Sequence, residues 1–387
     1  MAYVLYVYIC RSVKKTTKQQ DRTSVRTLRF RLRDKHIPEL QAKAREVNAV
    51  WNYCNAMQLK VYERERRFLS AYDFCPYLAG ATKEGLSLHS QTVQVIAAQY
   101  AKSREAAHKV RLAWRKSGGA RRSLGWIPFK ASAISYRNGQ ICLSGFKRPI
   151  GLWDSYGLGQ YELSVGSLSE DSRGRWYLNV VAEPKRQVPV QLPLLADAIG
   201  IDLNLKTTLA TSSGIVIAAK TCYRDSEAQL GIAQRAGKKR QVKAIHAKIK
   251  HQRNDFQHQL STALVRAHGA IFVGNVNSAG LAKTGMAKSV LDAGWSSFRT
   301  QLLYKGAGAG IVCGEVNEAY STVTCSFCLG RTGPKGVAGL RIREWSCPDC
   351  GAAHHRDINA AKNILRLGRQ TLAVGIPALP AQAAAIG

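Results

Sequence analysis

The chain has 387 residues, of which 45% are hydrophobic, and this content excludes a disordered protein and allows two or three buried cores. Lysine and arginine number 57 against 25 acidic residues, and the formal net charge of +32 predicts a polyanionic partner. No apolar run reaches the roughly 18 residues of a membrane-spanning helix, so we expect nucleic acid and no membrane as the partner.

The N-terminal half begins with an apolar stretch that we interpret as a short extension over residues 1–20. It is not read as a signal sequence, because no basic segment precedes it and no small-residue cleavage site follows it. Residues 25–33 then alternate as a strand, with Leu28, Phe30 and Leu32 on one face. The other face carries three arginines that we expect to contact phosphate: Arg29, Arg31 and Arg33.

Helical spacing follows from Pro38, and a second long helix is predicted from Ser87 or Ser90 through Trp114. Residues 126–183 change to short alternating strands, with a hairpin turn at Asn138–Gly139. This pattern predicts a small barrel or sandwich that also includes the strand near residue 28. The helical segment would then be an insertion in a β domain, and the three prolines of residues 184–195 predict a linker.

The C-terminal half alternates strands and helices. An apolar strand, a turn and a second strand are predicted within residues 196–217, and further apolar strands at 270–276 and 309–317. A long basic helical segment is predicted over 225–268 and a helix over 296–304. This alternation predicts a mixed α/β sheet with crossover connections.

Two kinds of metal site are indicated near the C-terminus. Cys325 and Cys328 form one CxxC pair and Cys347 and Cys350 a second, 18 residues apart, which is the spacing of a four-thiolate structural zinc ribbon. His354 and His355 are not needed as ligands. The other six cysteines are scattered, as expected in a reducing cytoplasm.

Asp202 lies within an apolar strand, where a buried carboxylate is costly unless it is paired or binds metal. Asp357 opens a predicted helix seven residues after the last cysteine. These two carboxylates could converge on Mg²⁺ for phosphodiester hydrolysis. The alternatives are that Asp202 forms a turn and that Asp357 only caps its helix.

Five ordered segments resemble the TnpB family, transposon-encoded relatives of type V CRISPR effectors. They are GIDLNLKTTLAT, HQRNDFQHQLSTALV, KSVLDAGWSSFRTQLLYKG, the CxxC pair and HHRDINAAKNIL, all within residues 196–366. The resemblance implies a multidomain α/β protein. Its parts would be an RNase H-like (RuvC) nuclease domain with an inserted zinc ribbon, and a β-barrel wedge domain with an inserted helical recognition domain.

On this resemblance we expect the following division of the chain. The wedge domain would cover residues 21–36 and 120–185, the recognition domain 37–119, the linker 186–195, the nuclease domain 196–320 and 352–370, the ribbon 321–351, and a flexible tail 371–387.

One position departs from the family pattern. The family's second catalytic carboxylate is a Glu at the end of the strand that here reads IFVGNV, and Gly274 occupies that place. Either catalysis is lost and the protein is a guided DNA binder, or the glutamate has moved to the neighbouring strand. Glu318 stands at the end of that strand, where a proline is usual, and we favour it over Glu315, which lies deeper and on the other face.

The sequence therefore predicts an RNA-guided DNA endonuclease that hydrolyses double-stranded target DNA beside a short flanking motif, with guide RNA as its other partner. Asp202, Glu318 and Asp357 would bind Mg²⁺, and zinc would be structural. The alternatives are a catalytically inactive guided repressor and a zinc-ribbon RNA-binding protein with a relic nuclease fold. We expect a bacterial cytoplasmic, nucleoid-associated protein, and the oligomeric state, monomer or dimer, is left open. Further nucleic-acid contacts are expected at Lys239, Arg240, Lys250, Arg253 and Arg356.

Overall fold

The fold is taken from a computed structural model that describes residues 25–81, 83, 85–155, 157–185, 197–339 and 341–375. The predicted extension over residues 1–20 and the linker over 186–195 lie outside the described residues. The chain divides into two units, one covering Val25–Arg186 and the other including the described residues from 197 onward. No helix in the described ranges is both long enough and apolar enough to span a membrane.

Antiparallel strands form the framework of the first unit. One sheet has the order β1-β7-β6-β2, and a second sheet has the order β3-β4-β5. Their bounds are β1 Arg26–Arg31, β2 Trp126–Phe129, β3 Ile134–Arg137, β4 Gln140–Leu143, β5 Ile150–Gly151, β6 Tyr161–Glu170 and β7 Trp176–Pro184. Because β1 pairs with β7, strands from before and after the helical segment belong to one sheet. The hairpin turn lies at Asn138–Gly139, as predicted, and both residues have positive φ angles.

Three helices lie between β1 and β2: α1 (Ile37–Glu65), α2 (Cys75–Leu78) and α3 (Ser90–Ala106). The prediction that the third helix continues through Trp114 is wrong, because it ends at Ala106 and Trp114 is 47% exposed. Beyond Ala106 the backbone bonds to asparagine amides of α1 instead. The Asn55 side chain exchanges hydrogen bonds of 2.8 and 2.9 Å with the backbone of Leu112, and Asn52 does the same with Arg115.

An ion pair between exposed Arg122 and buried Glu170 crosslinks this unit. Both guanidinium nitrogens of Arg122 donate to Glu170, at 2.7 and 2.5 Å, and the backbone N–H of Gly125 donates to the same carboxylate at 2.9 Å. Burial acts to raise the pKa of Glu170, but these hydrogen bonds outweigh it and hold that pKa below its usual value. The carboxylate is therefore charged and depends on Arg122.

The second unit is built on a mixed five-stranded sheet with the order β10-β9-β8-β11-β12. Its strands are β8 Ala198–Leu203, β9 Thr207–Thr211, β10 Val216–Ala218, β11 Ala270–Gly274 and β12 Val312–Val316. The central strand β8 is antiparallel to β9 and parallel to β11, and β11 is parallel to β12.

Helices cover both faces of this sheet. In the part of the chain that is described, the helices of this unit are α4 Cys222–Arg235, α5 Lys239–Ala267, α6 Ser278–Leu281, α7 Ala287–Ala293, α8 Trp295–Ala309, α9 Gly336–Gly339 and α10 Arg356–Gly375. The basic helical segment predicted over 225–268 consists of two helices, α4 and α5, separated at Gly237, whose φ is 65°. Residues 371–375, predicted as part of a flexible tail, belong to α10, which continues to Gly375, and the rest of the predicted tail lies outside the described residues.

Because side chains alternate along each strand, the two faces of the sheet pack against different helices and form two separate apolar clusters. Odd-numbered residues such as Ile201, Ile271 and Val273 pack against α5 and α8, whereas even-numbered residues such as Ala198 and Phe272 pack against α10. A glycine is required at position 200, because a Cβ there would collide with the backbone of α10 at Ala361 and Leu365. A final strand pair, β13 (Glu344–Ser346) with β14 (Ala353–His355), belongs to the cysteine-rich segment before α10.

Candidate functional site

The carboxyl ends of three parallel strands meet at one edge of the second unit's sheet. Ile201 lies opposite Val273, and Gly274 lies opposite Val316, so Asp202 and Gly274 end neighbouring strands. Asp202, Gly274 and Val316 are even-numbered and belong to the α10 face. Glu318, two residues beyond Val316, follows the same alternation, and Asp357 lies in the first turn of α10.

The electrostatics of Asp202 show that the three carboxylates are brought together. Asp202 is only 7% exposed, and burial raises its pKa well above the usual carboxyl range. The negative charges of Asp357 and then Glu318 raise it further, whereas the Asn204 amide and Arg356 oppose the rise. Removing a proton from this cluster without adding a cation is therefore costly.

Glu318 occupies the space that a side chain at position 274 would need. A Cβ placed on Gly274 would lie far inside van der Waals contact with Oε2 of Glu318, and 3.3 Å from its Cβ. Oε2 is buried without a hydrogen-bond partner, and burial raises the pKa of the Glu318 carboxyl, an effect that Arg299 opposes. The backbone N–H of Glu318 donates to Oδ1 of Asn275 at 3.2 Å, which ties the two strand ends together.

The rival residue, Glu315, lies on the other face of the sheet. It is opposite Val273 in the register, and its carboxylate pairs with Arg299 of α8 at 3.6 Å. Its charge is not among those that act on Asp202. The structure thus brings Glu318, and not Glu315, to Asp202 and Asp357.

Two arginines lie near Asp357, and only Arg343 is hydrogen-bonded to its carboxylate. Nη1 of Arg343 donates to both carboxylate oxygens of Asp357, at 2.5 and 2.7 Å, so a metal ion there must share or displace this contact. Arg356, proposed from sequence as a nucleic-acid contact, is buried and donates to the carbonyl of Gly339. The sequence analysis missed Arg343, because nothing in its spacing connects it to a carboxylate 14 residues away.

The four predicted zinc ligands form one cluster. The sulfur atoms of Cys325, Cys328, Cys347 and Cys350 all lie within 4.8 Å of one another. Zn–S bonds of about 2.3 Å in a tetrahedron place sulfur atoms roughly 3.8 Å apart. The Cys325–Cys350 and Cys328–Cys347 separations are 3.7 and 3.6 Å, close to this value, so the four thiols could hold a zinc ion.

Both CxxC turns have the same backbone geometry. Leu329 N–H donates to the Cys325 carbonyl at 3.0 Å, and Gly351 N–H donates to the Cys347 carbonyl at 2.8 Å. Both residues have positive φ, 68° and 72°. His354, which sequence reasoning set aside, has Nε2 3.0 Å from the sulfur of Cys325, so it lies against the cluster although the four thiols complete it.

Two asparagines one helical turn apart attach the cysteine-rich segment to α10. The side-chain amides of Asn359 and Asn363 both donate to the carbonyl of Thr324, at 2.8 and 2.7 Å, and to that of Ser321. The backbone N–H of Ser326 donates back to Asn359 at 2.8 Å. Both asparagines are buried, and they fix the cysteine cluster relative to Asp357. Their i, i+4 spacing in NAAKN is the signal that sequence reasoning passed over.

The other basic candidates are at the surface. Lys239, Arg240 and Lys250 are exposed on α5, and Arg253 donates to the carbonyl of Leu291 at 2.8 Å. In the first unit the three candidates Arg29, Arg31 and Arg33, in or just after β1, each have a neighbour. Arg29 lies 4.0 Å from the Tyr177 ring centroid, Arg31 pairs with Asp34 at 2.6 Å, and Arg33 lies 5.1 Å from the Trp153 ring.

Comparison with known proteins gives three kinds of similarity. Residues 295–364 match the family model described as "Cas12f1-like, TNB domain". The chain is 33% identical over 262 residues to the "Putative RNA-guided DNA endonuclease" of Streptomyces pristinaespiralis, covering 64% of this chain and 63% of that protein. It is 28% identical over 232 residues to the "Putative RNA-guided DNA endonuclease InsQ" of Escherichia coli (strain K12), covering 53% and 56%.

The match therefore spans less than two thirds of the length of either relative. Among solved structures, a cryo-EM structure of a Cas12f1–sgRNA–target DNA complex is similar with a TM-score of 0.37 and 14% identity, over 88% of this chain and 98% of that chain.

Proposed function

We propose, since the chain belongs to the TnpB family, that it is an RNA-guided DNA endonuclease that cuts target DNA by metal-dependent phosphodiester hydrolysis. The observation that carries this proposal is the convergence of Asp202, Glu318 and Asp357 at one sheet edge, with Glu318 in the space left by Gly274.

The residues present fit a hard divalent cation. Buried carboxylates with raised pKa values lack a compensating charge of their own, and Oε2 of Glu318 is a buried acceptor without a donor. Oxygen donors of this kind suit Mg²⁺, which retains several waters beside one or two carboxylates. When bound, such ions supply an activated water and stabilise the leaving oxygen.

The protein's own residues would prepare the site in three ways. Asp202, held by the central strand, provides a ligand fixed to the rigid core. Glu318 reaches the site from the adjacent strand end, with its backbone held by Asn275. Arg343 orients the Asp357 carboxylate through both of its oxygens and adds positive charge where a phosphate would approach.

The remaining assignments follow the same proposal. The order β10-β9-β8-β11-β12, with α10 on one face, is consistent with an RNase H-like (RuvC) domain over residues 196–320 and 352–370, interrupted by a zinc ribbon over 321–351. Residues 21–36 and 120–185 would form the wedge domain and 37–119 the recognition domain. Guide RNA and double-stranded DNA would be held by the exposed basic residues of α5 and β1, in the cytoplasm of a bacterium.

The test is a cleavage assay with protein purified together with its co-expressed RNA. A plasmid target beside a randomised flanking library should be cut with Mg²⁺ and not with EDTA. If the protein binds the guided target but cuts it with none of the flanking motifs, the result would favour the inactive repressor. That interpretation follows if Gly274 marks the loss of a catalytic glutamate that no other residue replaces. A protein that carries no RNA and binds no DNA at physiological salt would contradict both.

A further inference from the structure

A pocket of about 140 Å³ opens beside the strand that carries Asp202. Its walls come from the chain just after β8, from residues 219–224, from α5 and from residues 289–298, all in the second unit. The interior is mainly apolar, and it is formed by Leu203, Leu205, Phe256, Trp295 and Phe298.

The size of the pocket matches one six-membered ring. An apolar cavity of about 150 Å³ accepts a benzene molecule in a well-studied case from another protein. Phe256 is half-buried and lines the pocket, so its ring face can stack on a planar ligand. A single-ring heterocycle is therefore a better fit than a fused double ring.

Two residues of the wall carry unused hydrogen-bonding atoms. Oε1 of Gln257 and Nε1 of Trp295 have no hydrogen-bond partner, and both residues are buried, with 3% of their surface exposed. The Gln257 amide nitrogen is already used, because it donates to the carbonyls of Ala293 and Gly294. One free acceptor and one free donor beside an apolar slot suit a ring whose edge carries both N–H and C=O groups.

The charged residues of the wall favour an anionic ligand. Lys220, Arg224 and Arg253 all line the pocket, and Lys220 Nζ lies 5.4 Å from the Phe256 ring centroid. Arg224 has only long contacts of 3.4 Å, to Glu227 and Ser289. The acidic wall residue, Asp292, has both oxygens turned to the backbone N–H of Tyr223, at 3.0 and 2.9 Å, so its charge is taken up at the start of α4.

We propose that this pocket holds one unstacked pyrimidine base of single-stranded target DNA, with the adjoining phosphates on Lys220, Arg224 and Arg253. Leu203 lies on the opposite face of the sheet from Asp202, but Asn204, just past the end of β8, both lines the pocket and lies beside the Asp202 carboxylate, so the pocket and the carboxylate cluster meet at this strand end. The pocket anchors the strand and favours a pyrimidine next to the cut. This inference rests on the proposed function, which supplies DNA as the ligand.

The test uses the protein with its co-purified RNA in EDTA, so that no cutting is needed. The probes are fluorescent thymidine strands of about 12 nucleotides and strands of equal length whose sites are all abasic. Wild-type protein should bind the thymidine strand on the order of tenfold more tightly. Phe256→Leu, which removes the ring, and Ala219→Phe, which narrows the pocket while keeping its aromatic, polar and charged wall residues, should abolish this preference. Ala218→Phe, one residue away and outside the pocket, should retain it.

Photo-crosslinking with 4-thiothymidine locates the base. The expected adduct is on the peptide that contains Phe256 or on the one that contains Trp295. Four results would each overturn the proposal. Two concern the thymidine preference: equal binding of the thymidine and abasic strands, or a preference that survives in both pocket variants. The other two are tighter binding of an adenine strand or a uridine RNA strand, and crosslinks confined to other peptides. The two hypotheses fail separately: a pocket-dependent preference without Mg²⁺ cleavage refutes only the nuclease, and cleavage without the preference refutes only the pocket.

Discussion

Replacing Gly274 with alanine should separate catalysis from stability. The added Cβ must take the position of Oε2 of Glu318, and the Glu318 Cβ lies only 3.3 Å away, so the carboxylate has to swing out of the cluster. Because the displaced atom is the end of a flexible side chain, the backbone of β11 can stay in place. The change therefore removes a metal ligand without deleting it from the sequence.

The magnitudes follow from the same contacts. Gly274 does not have a left-handed φ, so alanine is not strained there, and the loss of glycine's unfolded-state freedom contributes about 0.4–1 kcal/mol of stability. Oε2 has no hydrogen bond to lose. We expect the free energy of unfolding to change by less than about 1 kcal/mol. Activity should fall at least about 100-fold, since disturbing even the supporting residues of a metal site costs 10–100-fold.

The assay is single-turnover cleavage of a plasmid target with a urea unfolding curve measured on the same preparation. Gly314→Ala is the matched control, because a Cβ there meets Phe272 at an ordinary 3.6 Å and touches no carboxylate. The double variant Gly274→Glu/Glu318→Ala, which returns the carboxylate to the end of β11, should cut better than Glu318→Ala alone. Gly274→Ala protein that cuts as fast as wild type would refute the placement of Glu318.

Three other outcomes are expected. Removal of zinc by a strong chelator should release one ion per chain and expose residues 321–355 to protease, and Cys328→Ser should do the same; a chain without bound zinc that resists protease would contradict the four-thiolate site. In EDTA, Asp202→Asn should raise the melting temperature at pH 7, because the raised pKa of Asp202 makes its charged form unfavourable. This gain should shrink as the pH falls through that raised pKa, and a gain independent of pH would contradict the assignment. Arg122→Met should cost about 1–3 kcal/mol in urea unfolding, because the buried Glu170 carboxylate then loses its counter-ion and keeps the Gly125 N–H. Arg121→Met, which removes the neighbouring exposed arginine, should change stability by less than about 0.5 kcal/mol.

Features that repeat at short range could be predicted from the sequence. The alternation of Leu28, Phe30 and Leu32 appears as a strand with one buried face, and the two CxxC turns appear as one cluster. Glu318 could be proposed because the family resemblance implies a carboxylate that is missing at Gly274, and a strand's period of two then separates Glu318 from Glu315. The same rule put Glu315 on the opposite face, where it pairs with Arg299.

Contacts between residues distant in the chain could not be read in this way. Trp114 has the helical spacing that predicted a longer α3. Instead, the backbone N–H groups of Leu112 and Arg115 donate to asparagine side chains of α1, and α3 ends before this segment. Arg343 meets Asp357 only because β13 and β14 fold back onto the start of α10. Such contacts depend on tertiary packing, which overrides local propensity and leaves no periodic signal.

The most direct test of the catalytic cluster compares two glutamate variants in the Mg²⁺ cleavage assay. Glu318→Gln and Glu315→Gln each remove one charge from β12 or the residues just after it, on opposite faces of the sheet. With co-purified RNA and a matched DNA target, we predict that Glu315→Gln cuts at a rate close to wild type and that Glu318→Gln loses cleavage while still binding the target. Unimpaired cutting by Glu318→Gln, or loss of cutting only in Glu315→Gln, would contradict the assignment of Asp202, Glu318 and Asp357 as the metal-binding carboxylates.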